Sequence, residues 1–490
     1  MEATTQHPHR EHVDLLVIGW GKGGKTLAGA VGRSGRRVAL VEQDAEMVGG
    51  TCINVACVPT KALVHDAGAR RPEDDPASWF SQAVQRRDTL TAALRAKNHS
   101  MLDTVDSVLL VSGHAVFTGP REVTVDQGGD TLVLTADTVV INTGSVPTIP
   151  AIPGLEDLDN LGDAVQRGGA LHDSTTLQHV DPLPRRLVVV GGGYVGLEFA
   201  SMFAHFGSEV TVLDRGARPL KHEDEEVAGT AVAILEEDGV SFRSGASVTA
   251  IDPGPSGPAD EREAAGATVT FEVDGEEQTV GADAVLLALG RTPATAGLGL
   301  DVAGVVTDEQ GFVQVDEYLR TSAEGVFAIG DVTGGQMFTY TSLDDYRIVA
   351  DQLSGSCQRS LDDRVAVPYT MFLTPPLARV GMSLTEAKTW AAQNGRHLSV
   401  ASKKVADIAA MPRPKIEGDP RGLISVVVDT ASDLLLGASL QHVHAEEVIN
   451  LVALAMRHGV TATELRDSIY THPSATEALN EVLGGLEPLD

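Results

Sequence analysis

Two cysteines five residues apart carry the clearest chemical signal in the sequence. Cys52 and Cys57 lie in the segment 49–61, which reads GGTCINVACVPTK. Thr51 is expected to be the N-cap of a helix, and a thiol at a helix N-terminus ionises below the pKa of about 8.5 that a free cysteine has. Because side chains five apart do not stack on a regular helix, a Cys52–Cys57 bridge requires a distorted first turn, and such strain makes a disulfide easier to reduce. The pair predicts thiol redox chemistry; the alternative is two small buried residues.

A glycine-rich turn stands ahead of the cysteines. The apolar run 13–18 (VDLLVI) leads into a G-x-G-x-x-G formed by Gly19, Gly21 and Gly24, and a second apolar run ends at Glu42, 18 residues after the last glycine. In a strand–turn–helix unit of this kind a pyrophosphate rests on the helix N-terminus and the acid binds ribose hydroxyls. The segment predicts a dinucleotide site.

The same unit occurs a second time. The run 187–190 (LVVV) precedes Gly191, Gly193 and Gly196, and the run 210–213 ends at Asp214, again 18 residues after the last glycine. One chain therefore carries two predicted dinucleotide sites, whereas a simple dehydrogenase needs one. Together with the cysteine pair they indicate a flavin and a nicotinamide that work in relay.

Composition narrows the classes of partner. The 490 residues include 37 Lys and Arg against 68 Asp and Glu, a formal charge of −31, which argues against nucleic acid and membrane surfaces as partners. No apolar run is long enough to span a bilayer. Three cysteines are too few for a disulfide-stapled scaffold or a four-thiolate zinc site, so we expect a reducing cytoplasm. The first 12 residues are expected to form a disordered tail whose His7, His9 and His12 are solvated; metal binding by them is the alternative.

The cysteine segment closely resembles the flavoprotein pyridine nucleotide–disulfide oxidoreductases. The resemblance rests on G-G-T-C-x4-C-x-P-x-K after a G-x-G-x-x-G unit and extends from about Asp14 to the C-terminus. Five further segments match: 143–144 (TG), 191–198 (GGGYVGLE), 289–293 (LGRTP), 326–331 (VFAIGD) and 471–477 (THPSATE).

The resemblance implies a role for each catalytic residue. Cys57 would be the thiol that touches the flavin, and Cys52 the interchange thiol that meets the substrate. Lys61 and Glu198 would form an ion pair beside flavin N5 and the nicotinamide. His472, oriented by Glu477, would be the acid–base group that reaches across the interface of a homodimer.

It also implies FAD and NAD(P)H as cofactors. Glu42 would bind the adenosine ribose of FAD, and Asp331 its ribityl chain. The implied FAD residues are Gly19, Gly21, Gly24, Glu42, Gly50, Thr51, Lys61, Ala115, Thr143, Gly144, Asp331 and Thr339. The implied NAD(P) residues are Gly191, Gly193, Tyr194, Val195, Gly196, Glu198, Asp214 and Gly290.

The implied fold class is α/β, with two Rossmann-like dinucleotide-binding domains plus an α+β dimerisation domain. The first part of the FAD domain would be 1–150, the NAD(P) domain 151–290, the second part of the FAD domain 291–364 and the dimerisation domain 365–490. Two stretches rich in proline, at 147–153 and 252–266, are expected to be a linker and an exposed loop.

Three features of the sequence bear on the electron acceptor and the coenzyme. The C-terminus lacks the vicinal cysteines that mercuric reductases carry, which argues against that activity. Asp214 favours NADH as the coenzyme, whereas Arg215 and Arg218, which follow it, are of the type that binds the 2′-phosphate of NADPH. The segment 331–350 (DVTGGQMFTYTSLDDYRIVA) is most similar to the reactive-chlorine-resistance branch of the family, which is associated with copper(II) reduction. Copper would meet the two thiols transiently, as substrate.

The sequence leaves further metal sites and several alternative functions open. His65 is expected to be a satisfied core histidine, and His442 with His444 a structural pair rather than metal ligands. The rival activities are those of a lipoamide dehydrogenase, a reductase of mycothiol- or glutathione-type disulfides, and a peroxide- or oxygen-reducing flavoprotein. From another class, a thiol-based redox sensor would use the same cysteines.

Overall fold

The computed structural model describes residues 9–155, 169–253 and 266–489. Its helices are α1 Lys22–Arg33, α2 Thr51–Asn54, α3 Cys57–Gly68, α4 Pro76–Asp103, α5 Tyr194–Phe206, α6 Glu225–Glu237, α7 Leu300–Ala303, α8 Thr339–Ser354, α9 Leu384–Asn394, α10 Arg413–Glu417, α11 Ala445–Arg457, α12 Ala462–Asp467 and α13 Ala478–Val482.

The strands follow in the same chain order. They are β1 His9–Ile18, β2 Val38–Glu42, β3 Val108–Ser112, β4 His114–Gly119, β5 Glu122–Asp126, β6 Thr131–Ile141, β7 Ser145–Pro147, β8 Leu171–His172, β9 Arg186–Val190, β10 Glu209–Asp214, β11 Val240–Ser244, β12 Ser247–Asp252, β13 Ala267–Val273, β14 Glu276–Ala282, β15 Ala284–Leu287, β16 Arg291–Pro293, β17 Val326–Ala328, β18 Tyr369–Met371, β19 Leu377–Gly381, β20 Leu398–Lys404, β21 Leu423–Asp429, β22 Leu434–Gln441 and β23 Glu487–Leu489.

The described residues group into two compact units. Unit 1 is drawn from Met1–Ala62, Ala83–Thr148 and Gly290–Arg364, and unit 2 from Leu63–Gln82, Ile149–Leu289 and Val365–Asp490. The four domain ranges drawn from the sequence stay a prediction. The loop expected at 252–266 falls almost entirely outside the described residues.

Unit 1 is built on a mixed sheet. Within the described residues seven strands pair in the order β3-β2-β1-β6-β5-β4, with β17 added alongside β6. The strands β3, β2, β1, β6 and β17 are parallel, and β4, β5 and β6 form an antiparallel meander. Leu15, Leu16 and Val17 of β1 are fully buried, as expected for the central strand of a sheet covered on both faces.

The first strand begins earlier than the sequence predicts. His9 pairs with Leu132 of β6, and the pairing continues through His12 opposite Thr135. The expectation of a disordered tail is therefore wrong for residues 9–12, and residues 1–8 lie outside the described part. Strand pairing uses backbone groups, so this polar segment can extend β1 without the apolar periodicity by which strands are recognised in a sequence.

Unit 2 contains a parallel sheet and two antiparallel ones. Among the described residues the parallel sheet has the order β11-β10-β9-β15-β8, and the antiparallel sheets have the orders β12-β13-β14 and β18-β19-β22-β21-β20-β23. This confirms the predicted fold class, with α11 packed on the last sheet as in an α+β arrangement. Among the helices of the described ranges, none combines the length and apolar character needed to cross a membrane.

Helices α1 and α8 pack closely in unit 1, and a glycine permits that contact. The Gly23 N–H donates to Ser342 Oγ at 3.1 Å. A Cβ at position 23 would lie 2.5 Å from the Ser342 carbonyl oxygen and 2.9 Å from Ile329 Cδ1. No side chain at position 23 fits without moving one helix away from the other.

We expect Gly23→Ala to lower the free energy of unfolding by about 1–3 kcal/mol, because the added methyl overpacks the contact between α1 and α8. The matched control is Gly229→Ala in α6, where a Cβ would meet nothing within 4 Å; there alanine should stabilise by about 0.5–1 kcal/mol. Urea unfolding followed by circular dichroism measures both. Equal effects of the two substitutions would contradict the packing argument.

Candidate active site

The cysteine pair lies where a helix is interrupted. Helix α2 ends at Asn54 and α3 begins at Cys57, and between them the N–H groups of Val55 and Ala56 both donate to the Thr51 carbonyl at 3.0 and 2.9 Å. The break supplies the distortion that a spacing of five requires, and the two thiols form a hydrogen bond. Both cysteines are free thiols in this structure.

The N-cap of α2 differs from the prediction. Gly50, with φ +83°, occupies the N-cap position, and Thr51 is the first helical residue. The predicted capping role of Thr51 is therefore wrong. A Cβ on Gly50 would lie 2.7 Å from Gly21 Cα, so the cysteine helix begins in close contact with the first glycine-rich turn.

The negative charge of the thiol pair resides on Cys57. The hydrogen bond from the Cys52 thiol lowers the pKa of Cys57 to about 6; burial opposes this shift, while the Thr339 hydroxyl and the charge of Lys61 add to it. The Cys57 Sγ to Thr339 Oγ1 distance is 3.4 Å. The pKa of Cys52 is raised, first by its hydrogen bond to Cys57 and then by burial. At neutral pH Cys57 is thus a thiolate and Cys52 a protonated thiol.

Two residues of this neighbourhood were missed from the sequence. Burial, with a contribution from the Cys57 charge, raises the pKa of Tyr340 and keeps its phenol neutral. Lys25 of α1 interacts electrostatically with Cys52. The signal available in the sequence was the position of each residue: Lys25 directly follows the third glycine of the turn, and Tyr340 follows Thr339.

The first glycine-rich turn forms a cradle that fits a dinucleotide. Gly19 has φ +99°, and a Cβ there would lie 2.4 Å from the Asn142 carbonyl oxygen; Cβ atoms on Gly21 and Gly24 would lie 2.4 and 2.7 Å from Asn142 Nδ2. Asn142, which the sequence did not single out, donates to the Gly19 carbonyl at 3.2 Å. The N-cap of α1, Gly21, has no side chain to cap the helix, so the first-turn amides other than that of Gly23, which donates to Ser342, are donors for a pyrophosphate.

Other residues around this cradle fit the same cofactor. Glu42 accepts the Trp20 N–H at 3.0 Å, and burial raises its pKa. The buried Thr143 Oγ1 has no hydrogen-bond partner among the described residues, which suits a ligand contact. Gly144 has φ +76°. Ala115 lies in the core, where its side chain packs within the sheet of unit 1.

A short chain of hydrogen bonds orients Asp331. Ser145 Oγ donates to Asp331 Oδ2 at 2.9 Å, and Arg291 Nε donates to Ser145 Oγ at 2.8 Å. Ser145 and Arg291 thus fix the carboxylate that is predicted to hold the ribityl chain of FAD. The cofactor roles of these residues remain proposals.

The second glycine-rich turn lies in unit 2. A Cβ on Gly191 would lie 2.5 Å from the Ala288 carbonyl oxygen, and one on Gly196 would lie 2.1 Å from the Gly191 carbonyl oxygen. Open space faces Gly193, the N-cap of α5, and Tyr194 and Val195 are exposed on the first turn of α5. This arrangement fits a second dinucleotide. Gly290, assigned to the same cofactor from sequence, belongs to unit 1.

Asp214, the acid that follows the second glycine-rich turn, is held by backbone N–H groups. Asp214 accepts the N–H groups of Gly192 and Gly216 at 2.9 and 2.5 Å. Arg218 donates to the carbonyls of Leu220 and Glu223, whereas Arg215 is exposed. Of the two arginines, Arg215 is therefore the one that can turn toward a 2′-phosphate.

The remaining predicted catalytic residues have defined partners in unit 2. Glu198 accepts the Phe372 N–H at 2.7 Å; its predicted pairing with Lys61 stays a prediction. His472 Nδ1 lies 2.9 Å from Glu477 Oε1, and Glu477 Oε2 accepts the Ser474 N–H at 2.8 Å. The His472 side chain is 68% exposed, so the oriented imidazole is available to a second subunit.

Three of the candidate metal-binding histidines, His65, His442 and His444, lie in different environments. His442 is fully buried, which lowers its pKa to about 4, and its Nδ1 lies 2.7 Å from the Val443 carbonyl. His444 pairs with Glu417 at 2.9 Å. His65 is exposed, so its expected core position is wrong. In the described ranges no three His, Cys, Asp or Glu residues are grouped so as to hold a metal ion; Cys357 is exposed.

The arrangement is matched by known proteins. The pyridine nucleotide-disulphide oxidoreductase model matches residues 13–345, and the dimerisation domain of the same family matches residues 367–483. The probable pyridine nucleotide-disulfide oxidoreductase RclA of Escherichia coli is 40% identical over 467 residues, covering 95% of this chain and 98% of that protein. A mercuric reductase of Streptomyces lividans is 34% identical, covering 95% and 94%.

A solved structure agrees with these relatives. The Cu(II) complex of HOCl-induced flavoprotein disulfide reductase RclA from Escherichia coli superposes with a TM-score of 0.86 at 39% identity, covering 97% of this chain and 99% of that one. With two glycine-rich turns, a thiol pair and matches along nearly its whole length, the chain belongs to the pyridine nucleotide-disulphide oxidoreductases, flavoprotein enzymes that use FAD and NAD(P)H.

Proposed function

We propose that this enzyme uses NAD(P)H to reduce copper(II) through the Cys52–Cys57 pair, as a defence against reactive chlorine. The observation that carries the proposal is the pair of free thiols at the break between α2 and α3, with Cys57 Sγ 3.4 Å from Thr339 Oγ1. Its support for copper comes from the solved structure of the similar Escherichia coli enzyme, a Cu(II) complex of an HOCl-induced flavoprotein disulfide reductase.

Different residues are proposed to stabilise the thiolate and to meet the acceptor at the thiol pair. FAD, when bound, accepts hydride from NAD(P)H and supplies the electron pair that opens the disulfide. Thr339 and Lys61 stabilise the thiolate of Cys57. Cys52 is the thiol proposed to meet the acceptor, as the resemblance to the family implies, and it does so once its proton has passed to Cys57.

The reaction balances with two copper ions. The thiolate–thiol pair loses two electrons and one proton and becomes a disulfide, while two copper(II) ions become two copper(I) ions. Thiolates are soft ligands that favour copper(I), which favours the reduced product. The net charge of −31 raises the concentration of cations near the protein.

We infer that the working form is a homodimer in the cytoplasm. The chain carries the family's dimerisation domain, and the exposure of the His472–Glu477 pair supports a site shared with a second subunit. A compartment that keeps thiols reduced suits an enzyme that ends each cycle as a dithiol.

The second candidate is a dihydrolipoamide dehydrogenase or a reductase of low-molecular-weight disulfides. The observation that favours it is again the His472–Glu477 pair. An oriented imidazole donates and accepts protons, which thiol–disulfide exchange needs and one-electron reduction of a metal ion does not. The acceptor experiment below separates these activities.

The first prediction concerns which thiol faces the flavin. Cys52→Ser should keep a thiolate–flavin charge-transfer absorption band, and Cys57→Ser should lose it. Since the pKa of Cys57 is lowered to about 6, the band of Cys52→Ser should be full above pH 7 and fade as the pH falls through about 6. Cys52→Ala, which removes the hydrogen-bond donor, should shift that midpoint upward. A band in both serine variants would contradict the assignment.

The second prediction concerns the acceptor. Under anaerobic conditions copper(II) should sustain many turnovers of NAD(P)H oxidation with stoichiometric trapped copper(I). Cys52→Ser should lower the rate at least about tenfold, because the thiol that meets the acceptor is gone. Cys357→Ser, which removes the exposed third cysteine, is the matched control and should turn over like the wild type.

Three outcomes would replace the copper proposal. Unchanged copper turnover in Cys52→Ser would show that the thiol pair is not the donor. Much faster turnover with lipoamide, glutathione disulfide or mycothiol disulfide would establish the second candidate. Absence of turnover with every acceptor, with the thiols still oxidised reversibly, would indicate a redox sensor.

The third prediction tests the shared site. Cys52→Ser and His472→Ala homodimers should each be inactive with a disulfide acceptor, and mixing them under subunit exchange should restore about a quarter of the wild-type rate, because half of the dimers are mixed and each has one intact site. Native mass spectrometry verifies the exchange. Proven exchange without recovered activity would place His472 and Cys52 of one subunit in the same site.

A further inference from the structure

Lys25 is a half-buried cation without an ion-pair partner in the described part of the chain. It lies on α1 directly after Gly24, and its Nζ donates to the Gly49 carbonyl at 3.0 Å and to Asn98 Oδ1 at 2.5 Å. Both acceptors are neutral groups. Burial, and after it the charge of Lys22, lower the pKa of Lys25 to about 8, while Cys52 acts in the opposite direction.

The Gly49 carbonyl belongs to the turn that positions Cys52. Gly49 and Gly50 have φ values of +98° and +83° and lead directly into α2, whose second residue is Cys52. A Cβ on Gly49 would lie 2.0 Å from Ile53 Cδ1 and 3.4 Å from Asn98 Cβ. The turn is therefore confined between α2 and α4, and Lys25 connects both sides of it to α1.

Among the other charged groups near this turn, some form ion pairs with each other and Lys61 acts on Cys57 rather than on Cys52. Glu46 pairs with Arg95, which also donates to the Asn54 side chain, and the charge of Lys61 acts on Cys57. The remaining titratable neighbours are Lys22 on α1 and His99, which stacks on Trp20. Among the interactions that shift Cys52, Lys25 is the cation that lowers its pKa.

We propose that Lys25 is a positioning residue for Cys52: its ammonium group fixes the Gly49 turn and is the counter-charge of the Cys52 thiolate. This inference rests on the proposed role of Cys52 as the thiol that meets the acceptor. In the resting pair the proton is on Cys52. When Cys52 meets the acceptor as a thiolate, its proton has passed along the hydrogen bond to Cys57, and the negative charge has moved from the neighbourhood of Lys61 to that of Lys25.

The test measures the local charge at Cys52 without any turnover. FAD-loaded Cys57→Ser protein is reduced and alkylated with iodoacetate, which is an anion, or with iodoacetamide, which is neutral. Both reagents react with the same thiolate, so the ratio of their rates reports the electrostatic potential at the sulfur. Peptide mass spectrometry reads this ratio at Cys52 and, as an internal reference, at the exposed Cys357.

Four substitutions are compared in this background. Lys25→Met should lower the iodoacetate to iodoacetamide ratio at Cys52 by about threefold or more, since one nearby positive charge is lost. Lys25→Gln, which keeps a hydrogen-bond donor, should lower it similarly, and Lys25→Arg should preserve it. Lys22→Met removes one charge from the same helix and should leave the ratio nearly unchanged. The ratio at Cys357 should be constant throughout.

The proposal is wrong if the ratio at Cys52 is unchanged in Lys25→Met, or if Lys22→Met lowers it as much. Should Lys25→Met fail to fold, Lys25→Gln decides by the same ratio. Loss of FAD from either variant with an unchanged ratio would assign Lys25 to the cofactor instead. Because neither copper nor NAD(P)H is used, failure of the copper proposal does not affect this result.

Discussion

One negative charge, shared between two thiols, constrains the arrangement of unit 1. The Cys57 thiolate is stabilised by the Cys52 thiol from α2, by the Thr339 hydroxyl from α8 and by Lys61 one turn further along α3. These donors come from three helices, and a thiolate with a pKa near 6 forms only where all three are held at the same point. The break at residues 55–56 follows from that requirement, because a continuous helix would separate the two sulfurs.

The position of Thr339 depends in turn on packing far from the sulfur. Helix α8 is held on one side by Gly23, which allows α1 to approach Ser342. On the other side the buried Asp345 accepts the Gly330 N–H at 2.8 Å and pairs with Arg364 at 2.5 Å. Gly330 directly precedes Asp331, so the same contact orients the residue proposed to bind the ribityl chain. Cofactor site and thiolate are thereby fixed by one helix.

The sequence predicts what depends on local pattern and misses what depends on tertiary contact. Both dinucleotide turns and the α/β fold class were predictable, because buried parallel strands are continuous apolar runs and the turns need glycine. Lys25 reads as a solvated helical residue until the structure places Asn98, 73 positions away, against its ammonium group. His9–His12 likewise carry no strand signal of their own; β6 supplies the partner. Thr51 has the residue type of an N-cap, yet the close approach of Gly21 requires glycine at position 50.

The charges around the thiols are opposite in sign to the charge of the whole protein. The chain carries −31 overall, whereas Lys25 and Lys61 act directly on the two cysteines. Interactions between exposed charges are screened beyond about 8 Å at physiological ionic strength. The distant acidic groups therefore attract cations to the protein surface but do not shift the pKa values of the two cysteines. Close to the sulfurs the single negative charge of the pair neutralises one lysine at a time, Lys61 when Cys57 is the thiolate and Lys25 when Cys52 is. The copper(II) ion proposed as acceptor would therefore meet a soft thiolate whose own counter-charge is neutralised, and only one of the two lysines would oppose its approach.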